Sequence, residues 1–288
     1  MSSIGGVIVG LRYERADTLS CSLAVTMLEG ERVENNLALN PLLGLGVEVT
    51  FSGRIECTHC AARTPRSYGG GYCYDCFRTL ARCDLCVVSP DRCHYDQGTC
   101  REPDWGRAYC MQPHTVYLAN SSGPKVGITR RDRELHRWMD QGAIQGLPIA
   151  YASTRRSAGE LEVTLATRVP DRTDWRRLTS GDVAPVDLTR VRDQLRAAFE
   201  RQTPDTLWLD EAPETRLRYP VLGYGKPLQQ KLENGQSVIG GVLLGIKGQY
   251  LLFDSGVFNV GQHRGHEIEL SQVDEPRRPA AGRQLELF

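Results

Sequence analysis

An excess of charge of either sign is the first thing this sequence lacks: 35 Lys and Arg stand against 35 Asp and Glu in 288 residues. A chain so balanced is not a polycation that gathers nucleic acid indiscriminately, so a nucleic-acid site has to be a local patch. Long apolar runs are missing as well. The longest such stretch, Val238 to Ile246, is broken by glycine and is far too short to span a bilayer, so no membrane partner is expected. Between Met1 and Arg15 there is no basic stretch followed by an apolar core and a small-residue cleavage site. A secreted chain is therefore not expected, and a cytoplasmic one is. Low-complexity tracts are absent too, and the apolar share suits an ordinary globular protein of two to four compact units.

What the sequence has in abundance is cysteine, unevenly placed: nine of the ten lie between Cys57 and Cys110. Without a secretion signal, metal binding is a better reading of that density than disulfides. Cys57 and Cys60 form one C-x2-C pair, Cys73 and Cys76 a second, with a glycine-rich turn at Ser67 to Tyr72 between them. Two such tight turns aim two thiolates each at one point and complete the tetrahedron of a zinc site. Four thiolates leave no open position for water, so this zinc is expected to organise the segment rather than perform chemistry. A second set follows in Cys83, Cys86, Cys93, Cys100 and Cys110, with His94 and His114 nearby. That is more than one zinc takes. Cys83 and Cys86 with two of the rest, Cys93 and Cys100 ahead of Cys110, are the expected ligands of a second zinc, and an iron–sulfur cluster, which also takes four thiolates, is the alternative.

From His114 the pattern changes. Val116 to Ala119 and Lys125 to Thr129 read as strands joined by the turn Asn120 to Pro124. Asp132 is placed to cap a helix with Leu135, Trp138 and Met139 at helical spacing. Leu147 to Ala152 reads as a third strand. Ser157 to Glu160 has the form of a capping box for a second helix burying Leu161, Leu165 and Val169. The expected order is β-β-α-β-α, followed by a connecting helix over Pro185 to Arg201.

On these residues the segment from about 114 to 178 resembles the GIY-YIG endonuclease superfamily. Val116-Tyr117 is similar to the first half-motif, and Lys125-Val126-Gly127 to the second, in the branch that begins it with lysine. Arg137 is similar to the family's helix arginine, with Arg133 a rival, and Glu162 to its helix glutamate. Asp174 stands where the family often has asparagine. The resemblance implies Tyr117 as the base, Arg137 as the phosphate-binding charge, Glu162 as the ligand of magnesium or manganese, and Lys125 as an auxiliary cation. Independently of any family, phosphodiester hydrolysis needs a base, a divalent cation and positive charge, and these residue types supply them. Arg130, Arg131 and Arg133 offer a local nucleic-acid footprint amid Asp132 and Glu134.

The ends read as β-rich, for example Gly46 to Gly53 and Gly240 to Phe253, and the two could pack as one unit. His263 and His266 read as exposed loop histidines. The overall arrangement also resembles an uncharacterised bacterial family with zinc cysteines. After a linker-like stretch the chain ends in Gln284-Leu285-Glu286-Leu287-Phe288. This resembles the pentapeptide by which bacterial replication and repair proteins bind the sliding clamp; Gln284, Leu285, Leu287 and Phe288 carry the match. Its anchor logic is an amide for orientation and a leucine and Leu-Phe pair for an apolar pocket.

The expected fold class is α+β: a cysteine-rich zinc-binding module over 57–112 and a GIY-YIG-like domain with connecting helix over 113–203. β-rich segments over 1–56 and 204–273 flank them, with a tail over 274–288. The expected function is that of a metal-dependent, clamp-tethered DNA endonuclease of repair or recombination, with RNA left open as the substrate. The alternative is a non-catalytic zinc-containing nucleic-acid-binding or adaptor protein. A third reading is a cysteine-ligated redox sensor.

Overall fold

The computed structural model describes residues 3–27, 33–203, 206–232 and 238–277. Its strands run, in order, β1 Ser3–Glu14, β2 Ser20–Met27, β3 Val33–Ala38, β4 Gly46–Ile55, β5 His114–Asn120, β6 Pro124–Arg130, β7 Gln145–Ala152, β8 Leu207–Trp208, β9 Thr215–Arg216, β10 Gln229–Gln230, β11 Val238–Lys247, β12 Tyr250–Phe253, β13 Gly256–Asn259 and β14 His266–Val273. The helices are α1 Tyr74–Thr79, α2 Leu85–Val88, α3 Pro103–Tyr109, α4 Glu134–Asp140, α5 Arg155–Ala166, α6 Trp175–Ser180 and α7 Leu188–Phe199. The class is α+β with β-rich ends, as the sequence pattern implies. Among the described residues no helix is long and apolar enough to cross a membrane.

The chain forms two compact units. The first comprises residues 1–16, 20–73 and 220–288 and is built on a nine-stranded sheet, in the order β10-β13-β12-β11-β4-β14-β1-β2-β3. Neither end of the chain has enough apolar surface for a core of its own. Pairing β4 with β11 and β14, and β14 with β1, lets the two ends share one. Alternation along β14 sends His266, Ile268 and Leu270 inward, which is the period of a half-buried strand.

That alternation corrects the reading of His263 and His266 as exposed: they are only 5% and 8% accessible. His263 ends a short turn whose cap is Asn259. Its Nδ1–H donates to the Asn259 carbonyl at 2.8 Å and its Nε2 accepts the Leu232 N–H at 3.2 Å. Both ring nitrogens are used by the neutral form, and a proton on Nε2 would face another donor.

The second unit, residues 17–19 and 74–219, holds the predicted β-β-α-β-α series as β5, β6, α4, β7 and α5. Its sheet runs β6-β5-β7-β8, with β9 also on β7. Val116, Leu118, Val126, Leu147 and Ile149 from the sheet pack against Leu161 and Leu165 of α5 and Leu195 and Phe199 of α7. Two caps differ from expectation. Asp132 adopts φ 65° and turns the chain, a conformation aspartate tolerates, so the residue before α4 is Arg133 with no side-chain cap. The capping box of α5 is Thr154 with Ser157, and Glu160 instead bonds Arg156 at 3.0 Å on the solvent face.

Burial, opposed only in part by the Asn259 carbonyl and reinforced by His266, lowers the His263 pKa from 6.5 to about 4. A depressed histidine favours the fold while it is neutral. Its contribution is therefore complete above about pH 6.5 and is lost as pH falls towards about 4, a change of about 3 kcal/mol. Denaturant melts at a series of pH values should show this slope in the nine-stranded unit, and His263→Gln should flatten it.

Candidate functional site

Two places in the molecule gather chemically capable side chains. The first is the set Cys57, Cys60, Cys73 and Cys76, whose sulfurs all lie within 4.8 Å of one another. Its turns are made by backbone bonds: Ala61 N–H to the Cys57 carbonyl at 3.0 Å, Thr58 N–H to Gly71 at 2.8 Å, and the Tyr68–Tyr72 bridge. Cys60 and Cys73 sulfurs are 3.7 Å apart. Sulfurs about 2.3 Å from a tetrahedral zinc would be spaced about 3.8 Å, so the set fits a metal ion such as zinc. Burial pushes the Cys57 thiol up, but backbone hydrogen bonds to it from Cys60, Cys73 and His59 outweigh that and bring it down to about 7. A thiol that ionises near neutrality is ready to ligate.

The second place is a cleft of about 390 Å³ in the second unit. Tyr117, Lys125, Gly127, Arg137, Gln141, Arg155, Glu162, Asp171 and Arg172 face it, with Val87, Val88 and Pro90 along one side. Tyr117 and Gly127 are paired across β5 and β6. A Cβ at Gly127 would fall 2.6 Å from the tyrosine hydroxyl, so glycine is what lets the ring lie across the neighbouring strand. Trp138 closes the other side edge-on, with ring centroids 6.0 Å apart. Turned so that its oxygen accepts from Arg137 Nε at 3.0 Å and Nη2 at 3.3 Å, the Gln141 amide joins Arg137 to the Tyr117 hydroxyl, 3.1 Å away.

The charges there are unevenly solvated. Burial raises the Tyr117 pKa, while Arg137 pulls it back. Lys125 is 5% accessible, and burial followed by repulsion from Arg137 lowers its pKa to about 8, against the pull of Glu162 and Asp171. Glu162 is raised by burial and by Asp171, and held down by Arg155, Arg137 and Lys125. Two carboxylates thus confront each other among four cations. A divalent cation would relieve the carboxylates, and an anion would relieve the cations.

All four residues expected to carry chemistry, Tyr117, Lys125, Arg137 and Glu162, face this cleft. Arg130, Arg131 and Arg133 do not line it. Arg130 and Arg131 lie over the rings of Tyr109 and Tyr151 at 4.5 and 4.4 Å, and Arg133 is exposed before α4. Asp174 caps α6 by accepting from Arg176 N–H at 2.9 Å. Gln141, Asp171 and Arg172 had no assigned role in the sequence reading. The i,i+4 spacing of Arg137 and Gln141 on one helix face was the signal for the first.

In the second cysteine set, Cys86, Cys93, Cys100 and Cys110 share one small pocket with Asp84 and His94. Cys83 is not among the residues lining that pocket. Cys83 ends a 3-10 turn and Cys86 stands in α2. Gln284, Leu285, Leu287 and Phe288 lie outside the described residues.

For the first cysteine set, Cys57→Ser or Cys73→Ser should each lower the bound zinc by one ion per chain, measured by elemental analysis. Since a structural zinc supplies about 10–16 kcal/mol in small peptides, the melting temperature should fall by about 10 °C or more.

No curated protein and no solved structure matches the chain. A family model described as "Protein of unknown function (DUF2797)" matches residues 44–268, a span that takes in both cysteine sets and the whole cleft. On that match the chain belongs to the DUF2797 family.

Proposed function

We propose that the protein is a metal-dependent endonuclease of GIY-YIG type that cuts DNA in repair or recombination, with zinc in the first cysteine set. The observation that carries this reading is the meeting of Tyr117, Lys125, Arg137 and Glu162, from four different elements, in one cleft with Arg155 and Arg172. In this reading water attacks phosphorus as the bond to one sugar oxygen breaks. Tyr117, once ionised, orients the water and takes its proton, with Arg137 opposing in part the burial that raises its pKa. Arg137 and Arg172 bind the non-bridging oxygens, and Lys125 adds positive charge. Glu162, with Asp171 beside it, would hold a magnesium or manganese ion, which supplies Lewis-acid stabilisation of the phosphorane charge. The C-terminal Gln284 to Phe288 would tether the protein to the sliding clamp.

The second reading, a nucleic-acid-binding adaptor without catalysis, is favoured by one observation: the burial that raises the Tyr117 pKa opposes its use as a base. Cleavage of labelled single-stranded, duplex, flapped and branched DNA, with an RNA duplex beside them, separates the two. Wild type with magnesium or manganese should cut at least one substrate. Glu162→Ala and Arg137→Ala should each lose about 100-fold or more with folding retained. Tyr117→Phe, which keeps the ring over Gly127, should lose cutting and keep binding. Binding without cutting on every substrate would select the adaptor. Clamp binding that survives deletion of Gln284 to Phe288 would remove the tether from either reading.

A further inference from the structure

Residues 81–110 are organised without an apolar core. The segment consists of the 3-10 turns Ala81–Cys83, Pro90–Arg92 and Tyr95–Gln97 and the short helices α2 and α3. Its buried residues are Ala81, Pro90, Cys93, Gly106 and Cys110, while Leu85 and Val88 are 54% and 78% exposed. Burial on that scale does not offset the entropy of ordering so irregular a stretch, and small modules of this kind rely on cross-links or metal.

The four thiols that share its pocket each come from a different turn. Cys86 stands in α2, Cys93 follows the Pro90–Arg92 turn, Cys100 precedes α3 and Cys110 ends it. At Gly106 a Cβ would lie 3.1 Å from the Cys100 sulfur and 2.9 Å from the Tyr95 ring, so glycine keeps the space open. A rival set exists in Asp84, Cys86 and His94, whose ligand atoms lie within 4.8 Å of one another. Asp84 is already engaged by Arg101 Nε at 2.7 Å, and His94 Nδ1 by Thr99 Oγ1 at 2.7 Å. His94 Nε2 also lies 3.6 Å from Asp84 Oδ2, so the two acid–base groups are held to each other and to Arg101 and Thr99 beside the thiols.

The same segment is the side of the cleft. Arg155 Nη2 donates to the Val87 carbonyl at 2.7 Å, and Arg155 N–H to the Cys110 carbonyl at 2.7 Å. Gly159 lets α5 press on Pro90, where a Cβ would fall 2.5 Å from the proline ring. Val87, Val88 and Pro90 then line the cleft opposite Lys125 and Glu162.

We propose that Cys86, Cys93, Cys100 and Cys110 hold a second, thiolate-bound metal centre, and that this centre builds the Val87–Val88–Pro90 wall of the cleft. Soft thiolates select zinc or an iron–sulfur cluster. The assignment does not depend on the endonuclease reading, since the wall bounds the same cleft whatever occupies it.

The test is metal and sulfide analysis of the full chain purified anaerobically, with variants. The expected result is one zinc at the first set plus a second centre per chain, either a further zinc or iron with acid-labile sulfide and visible absorbance. Cys86→Ser and Cys110→Ser should lose only the second centre, and Cys83→Ser should keep both. In wild type, where no variant can misfold, alkylation read by mass spectrometry should find Cys86, Cys93, Cys100 and Cys110 protected together until a chelator is added. Hydrogen exchange after selective loss of the second centre should rise at least about tenfold over residues 85–93 and in the first turn of α5, with the nine-stranded unit unchanged. A single zinc with no iron, or a second centre lost in Cys83→Ser and kept in Cys110→Ser, overturns the ligand set. Unchanged exchange along residues 85–93 overturns the wall.

Discussion

Strand β5 is buried along all seven residues and hydrogen-bonded on both sides, and the chemistry of the second unit is arranged around it. A strand in that position cannot slip register without sending Val116 and Leu118 out of the core, so Tyr117 is held on the opposite face with little freedom. Its ring occupies the space that Gly127 leaves on β6, and Trp138 of α4 closes over its edge. Arg137 and Gln141, one helical turn apart at the end of α4, are thereby brought to its hydroxyl. One residue without a side chain on one strand thus sets where a phenol, a guanidinium and an amide meet.

The cleft that results is held by charges that do not satisfy one another within the protein. Lys125 and Glu162 are each displaced from ordinary protonation behaviour by burial, and Arg155 Nε is buried with no partner among the described residues. Leaving such groups under-compensated costs folding energy, which is a common feature of sites built for a charged ligand. A ligand that brings both an anion and a cation would match both signs at once. The cysteine segment beside it adds a wall rather than a reactive group. Its contribution is shape, through Val87, Val88 and Pro90.

Much of this was legible in the residues themselves. The two C-x2-C pairs needed only local turns, and the order β-β-α-β-α followed from periodicity and from glycine, serine and proline at the turns. The capping errors at Asp132 and Ser157 were errors of one or a few residues, since several polar side chains compete for the same helix end and only the local dihedral angles choose among them. His263 and His266 were misjudged because short spacing in a glycine-containing stretch looks like a loop. Whether it is buried is decided by β1 and β14 pairing across most of the chain.

What the sequence determined by itself, then, was whatever depends on neighbours within about one turn or one hairpin: the first cysteine set and the strand and helix order of the second unit. Only the tertiary structure decided that Cys86, Cys93, Cys100 and Cys110 line one pocket, and that Arg155, Asp171 and Arg172 join the cleft while Arg130 and Arg131 stay outside it. The physical reason is the same in each case. These side chains are carried by irregular turns or by separate helices, whose directions are set by packing against α5 and β6 rather than by any repeat in the chain.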